Sequence, residues 1–172
     1  MQKRIALLAL VALAFTAVSF AQGNRPSPAA SATCDLGGTT VKTDYSSPRT
    51  KGRKIFGELV PFGEVWRTGA NEATTFVPSG SITVGGKQVP AGNYTIFTVP
   101  TADKWTLIIN KKTGEWGIPY KYESDELARV DMKVSKLPSP VENFTISYEK
   151  SGSGCIMQID WESTRASVNI SK

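Results

Sequence analysis

Short alternating or β-branched runs, cut roughly every eight to twelve residues by glycine, proline or small polar residues, set the limits on what this chain can fold into. Such runs lie at 41–45, 73–77, 81–84, 87–89, 93–99, 105–110, 126–135, around Phe144, Ile146 and Tyr148, at 155–161 and at 166–170. Gly85-Gly86 joins two of them and supplies the positive φ angles of a type I′ hairpin turn. Pro100 to Lys104 suits a second hairpin, Leu137-Pro-Ser-Pro140 a turn, and Ser151-Gly-Ser-Gly154 a third hairpin. No stretch carries a convincing helical repeat. The pattern predicts an all-β domain, an antiparallel β-sandwich or jelly roll of about nine short strands.

Two stretches break the rhythm. Residues 52–75 are punctuated by Gly52, Gly57, Pro61, Gly63 and Gly69, yet carry Ile55, Phe56, Leu59, Val60, Phe62, Val65 and Trp66, so they predict a long connection over 52–72 that must pack. At its far end Trp66, Arg67, Asn71 and Glu72 place an aromatic face, a fixed positive charge, an amide and a carboxylate within a few residues, a set able to grip a polar ligand. Structural alternatives stand beside that reading: Arg67 satisfying carbonyls of the turns near Gly63 and Gly69, or Glu72 pairing with Arg67. The second stretch, 111–122, holds Gly114, Trp116, Gly117 and Pro119 and adds Trp116 as a candidate contact. Trp105 and Trp161 lie on alternating strands and are expected in the core.

Residues 1–21 read as a signal peptide, with Lys3 and Arg4 before the apolar run from Ile5 to Val18 and Ser19-Phe20-Ala21 at the cleavage site. The run is shorter than the about 20 residues a spanning helix needs, so no stable membrane span is expected after cleavage. The mature chain is expected to be exported, periplasmic or secreted, with a flexible, small-residue leader over 22–39 and a single domain over 40–172. Removing Lys3 and Arg4 takes the formal charge from +5 to +3, too mild a balance for a nucleic-acid partner. Cys34 and Cys155 in an oxidising compartment suggest one disulfide, the alternative being a buried Cys155 thiol.

The chain contains no histidine, which removes Ser-His-Asp and Cys-His nucleophile systems and the common zinc, copper and iron ligand sets; no metal site and no cofactor is expected. Carboxylates are the acid-base chemistry that remains. Glu72, Glu64 and Glu115 are the catalytic candidates, with Glu58 beside them, because all lie in the irregular stretches where a cleft can form.

The strings Ser47-Pro48-Arg-Thr-Lys51-Gly-Arg53, Ile55-Phe56-Gly57, Val60-Pro-Phe-Gly63, Val65-Trp-Arg-Thr-Gly-Ala-Asn-Glu-Ala-Thr74, Ala91-Gly92-Asn-Tyr94 and Trp116-Gly117 resemble the small exported bacterial proteins grouped as domain of unknown function family 2911. The resemblance covers about Thr40 to Ser171 and implies an exported β-rich domain, without catalytic residues to carry over. The functional expectation is a non-enzymatic binding module for a glycan, peptide or small polar ligand, meeting an unidentified envelope ligand or protein. A carboxylate-dependent hydrolase and a purely structural envelope domain are the alternatives.

Overall fold

The computed structural model describes residues 26–172, so the expected signal peptide lies outside the described residues. The nine strands are β1 (Ala29–Asp35), β2 (Thr40–Ser46), β3 (Thr74–Pro78), β4 (Ile82–Val84), β5 (Lys87–Val89), β6 (Tyr94–Val99), β7 (Lys104–Asn110), β8 (Glu126–Ser151) and β9 (Gly154–Ser171). They form one antiparallel sheet in the order β1-β2-β3-β6-β7-β8-β9-β4-β5. Alternation is clear along β8, where Val130 and Met132 are buried while Arg129, Asp131 and Lys133 face water. Gly85 and Gly86 both adopt positive φ, 51° and 86°, and close the β4–β5 hairpin.

The leader expected over 22–39 is corrected within the described residues. Residues 29–35 pair with β2 along their whole length, from Ala29 opposite Ser46 to Asp35 opposite Thr40. Alanine, serine and threonine give this strand little to bury, and what orders it is the backbone ladder together with the buried Cys34. Cys34 and Cys155 are disulfide-bonded, 121 residues apart in sequence, which ties the β1 edge to β9.

A second difference lies in the last third of the chain. The turn expected at Leu137–Pro140 is a bend inside β8, and the runs expected separately on either side belong to one long strand; likewise 155–161 and 166–170 both belong to β9. The β8–β9 register slips between Lys136 and Val141 and again before Thr145. Pro138 and Pro140 have no N–H to donate to the ladder, so the chain bulges there without leaving the sheet.

The bend lets the sheet curl over its own apolar face. Ser47 Oγ donates to the Phe144 carbonyl at 2.6 Å, the Phe144 amide donates to the Pro48 carbonyl at 2.9 Å, and Tyr45 OH donates to the Ile146 carbonyl at 3.3 Å, so the chain leaving β2 lies against the distal half of β8. Inside the curl sit Phe56, Trp66, Trp105, Phe144 and Trp161. A smaller cluster of Ala73, Phe97 and Ile108 packs separately from it, with Val65, Tyr120 and Tyr122 against it.

The disulfide closes a very long loop, so replacing Cys34 and Cys155 with serine should lower unfolding free energy by about 4 to 5 kcal/mol on chain entropy alone. Urea unfolding of the oxidised protein and the double variant reads this directly. Equal midpoints would mean that the bridge contributes nothing.

Candidate functional site

Residues 52–72 pack as expected, through Ile55, Phe56, Val60 and Trp66. The Val60 amide donates to the Ile55 carbonyl at 2.9 Å and the Gly57 amide to the Val60 carbonyl at 2.9 Å, making a compact turn that buries Ile55, Phe56 and Val60. Trp66 and Thr98 exchange backbone hydrogen bonds at 2.8 and 2.9 Å, which pins the segment beside β6. Trp66 is therefore a core residue: its ring stacks on Trp161 with centroids 5.9 Å apart, meets Phe144 at 5.2 Å, and its indole N–H donates to the Gly69 carbonyl at 3.1 Å. Its ring is largely packed, at 9% exposure, and what remains open lines the cleft described below. Trp105 and Trp161 are in the core as expected.

After Trp66 the chain is held in an unusual conformation. Thr68, a β-branched residue, has φ 56°, and Asn71 has φ 57°. Hydrogen bonds over-determine both positions. Thr68 Oγ1 lies 3.1 Å from Thr98 Oγ1, Thr74 Oγ1 donates to the Thr68 carbonyl at 2.6 Å, and Asn71 Nδ2 donates to the Ser27 carbonyl at 3.2 Å and to Ser46 Oγ at 3.1 Å. The Asn71 amide is thus engaged in holding the chain before β1, not directed toward the other candidate residues.

Residues 111–125, ending in the 3-10 turn Glu123–Asp125, lie over the smaller apolar cluster. Tyr120 meets Phe97 edge to face at 4.8 Å and Tyr122 lies 6.0 Å from the same ring. Asn110 Nδ2 donates to Tyr120 OH at 3.0 Å, and Tyr120 OH donates to Glu126 Oε1 at 2.7 Å. Arg129 then grips Glu126 with two hydrogen bonds of 2.7 and 2.8 Å, and this pairing holds the Glu126 carboxyl below its ordinary range. Burial, with Glu126 beside it, pushes the Tyr120 phenol up. Gly117 permits the close approach of this stretch: its φ is 95°, and a Cβ there would lie 2.9 Å from the Ala73 Cβ and 3.1 Å from the Arg67 Cβ.

Arg67 points away from the aromatic core, with its guanidinium carbon 5.0 Å from the centre of the Trp116 ring. Its Nη1 is buried without a hydrogen-bond partner among the described residues. Burial lowers the Arg67 pKa, and the charge of Glu72 partly offsets this. Of the two structural alternatives for Arg67, the turn carbonyls leave its Nη1 without a bond, and Glu72 acts on it through its charge.

The Glu115 carbonyl accepts from the Ala73 amide at 3.1 Å, which brings the Glu115 backbone beside the Glu72 stretch. Glu64 and Glu72 line different clefts. Glu115 lies 3.7 Å from Lys112 and accepts from Tyr122 OH at 3.4 Å, while Glu58 lies 3.4 Å from Lys54. Among the described residues no group of three or more acidic or cysteine side chains is placed to hold a metal ion.

What the two irregular stretches do form together is a cleft of about 500 Å³. Leu59, Val65, Ile118, Pro119 and Tyr120 supply much of its apolar wall, and its two charged lining residues are Glu64 and Glu123. The large hydrophobic side chains exposed among the described residues all lie on these stretches: Leu59 at 45%, Phe62 at 46%, Trp116 at 55% and Ile118 at 42%. Sequence reasoning missed Leu59, Ile118, Tyr120 and Glu123 as site residues. The available signal was the density of large apolar residues in both stretches, more than one loop can bury.

A family model described as Protein of unknown function (DUF2911) matches residues 27–170, a span that takes in β1. No curated protein and no solved structure matches the chain.

Arg67→Met keeps the packed stem and removes a buried nitrogen that has no hydrogen-bond partner, so its unfolding free energy should stay within about 1 kcal/mol of wild type or rise. A calorimetric or urea midpoint far below wild type would make the guanidinium structural. Because the folded Glu126 pKa is depressed, its contribution is complete above about pH 4.5 and is lost as pH falls through the lower folded value. Wild type should therefore lose more stability than Glu126→Gln between about pH 5 and about pH 3. Parallel losses in urea melts would dismiss the pairing as a source of stability.

Proposed function

The chain belongs to the DUF2911 family of proteins of unknown function, and from that premise we propose that it is an exported binding module whose ligand lies in the cleft between residues 59–66 and 118–123. The observation that carries this reading is the apolar cleft itself. Its volume falls in the range of small-molecule sites, and exposed Leu59 and Ile118 form part of its wall. A folded domain gains nothing in stability from large apolar side chains left in water, so their concentration on two apposed stretches supports a contact surface. The ligand class that fits is amphipathic: an apolar or aromatic body against Leu59, Ile118 and Pro119, with polar groups toward Glu64, Glu123 and solvent. Export is supported by the buried disulfide, which persists in oxidising compartments, and by the leader pattern of the sequence.

A second reading is favoured by one feature, that Glu64 and Glu123 share the cleft. Two carboxylates flanking a bound glycan are the minimum for hydrolysis. Turnover of a labelled polysaccharide that disappears in both Glu64→Gln and Glu123→Gln would select this reading over simple binding.

The binding reading is tested with Nile red, a neutral apolar dye. Saturable fluorescence enhancement is expected with the folded protein, weakened by about tenfold or more in Leu59→Glu and Ile118→Glu, with thermal midpoints unchanged because both side chains are already exposed. No enhancement, or the same enhancement in both variants, would remove the cleft as a binding site.

A further inference from the structure

The arginines of the described fold are Arg49, Arg53, Arg67, Arg129 and Arg165. Arg49 donates to the carbonyl and hydroxyl of Ser47, Arg53 to the carbonyls of Thr50 and Arg49, Arg129 to Glu126, and Arg165 to Asp160, all at 2.6 to 2.9 Å. Arg67 alone leaves a buried nitrogen, Nη1, without an acceptor. A guanidinium carries five N–H donors in a fixed plane, and burying one unpaired costs free energy that an acceptor would return. Among the described arginines this is the one with a buried donor left over, and that donor is what calls for a ligand group.

We propose that Arg67 binds a carboxylate group of a small organic ligand, with Trp116 lying over one face of the guanidinium as the solvent-exposed part of its cover. This goes beyond the apolar-cleft reading and stands without it. The chemistry follows from the geometry. With one face taken by the indole ring, an acceptor must approach in the guanidinium plane, and a planar carboxylate matches that fork with two parallel hydrogen bonds. The nearby charge of Glu72 disfavours a phosphate dianion more than a carboxylate monoanion. Gly117 keeps the Trp116 stretch against the Arg67 stem, since a Cβ there would press into Arg67, Ala73 and Phe97.

The test is a titration of the purified protein with the sodium salts of acetate, glucuronate and N-acetyl-dialanine at constant ionic strength, read by tryptophan fluorescence and thermal midpoint. Chloride and inorganic phosphate are the control anions. The three carboxylates separate a simple organic acid, a sugar acid and a peptide C-terminus as the source of the group. At least one should give a saturable change that weakens by about tenfold or more in Arg67→Met, weakens less in Arg67→Lys, and loses its fluorescence component in Trp116→Phe. The proposal is overturned if no carboxylate acts beyond matched chloride, if Arg67→Met responds as wild type does, or if phosphate saturates more tightly than every carboxylate. Should Arg67→Met fail to fold, the comparison of wild type with Arg67→Lys carries the same decision: equal affinity for the carboxylate rejects the planar fork.

Discussion

The stack of Trp66 on Trp161 is the contact on which the arrangement of this molecule depends. It seats one residue of an irregular segment among the side chains of the sheet, next to the backbone bridge between Trp66 and Thr98. Trp66 is buried, Arg67 lies beside Trp116, and Thr68, held at φ 56°, reaches Thr98. Removing a buried aromatic of this size costs about 3 to 5 kcal/mol. That is a large part of the about 5 to 15 kcal/mol by which such a domain is stable. The position of Arg67 is therefore set by core packing, although Arg67 itself adds little to that packing.

The rest of the fold supports this placement from two sides. On the inner side, the bulged β8–β9 pair curls the sheet so that Phe144 and Trp161 reach the ring of Trp66, and the disulfide joins the β1 edge to the same curl. In the smaller cluster, Phe97 and Ile108 pack with Tyr120 and Tyr122, which the Asn110, Glu126 and Arg129 hydrogen bonds hold in place. Residues 111–125 are thus tied down at one end, while Trp116 and Ile118 remain in water. A fixed stretch that keeps large apolar groups exposed differs physically from a loop that is merely loose.

Much of this was legible from residue order. Alternation located the strands, Gly85-Gly86 located a hairpin, and Trp105 and Trp161 read as core because their strands alternate. The disulfide pairing was one of two readings open from composition. Strand β1 was hidden because alanine, serine and threonine carry no hydrophobic period, and its order comes from a ladder that no local pattern records. The continuity of β8 was hidden because a proline-containing turn and a proline-containing bulge look alike in sequence. Trp66 and Arg67 are adjacent in sequence, yet the Trp66 ring stacks on Trp161 while Arg67 lies beside Trp116, a divergence that residue order does not record. Asn71 lay beyond reach for a different reason: its partners, Ser27 and Ser46, are far from it in the chain.

Residues 52–73 are a fixed part of the core which carries Arg67, and not a flexible loop. Native-state hydrogen exchange resolved by residue tests this most directly. The Trp66 amide, bonded to the Thr98 carbonyl at 2.8 Å, and the Val60 amide, bonded to the Ile55 carbonyl at 2.9 Å, should exchange as slowly as amides of β6 and β7 and open only with global unfolding. Exchange of Trp66 as fast as that of the exposed turn at Thr113 and Gly114 would contradict the account.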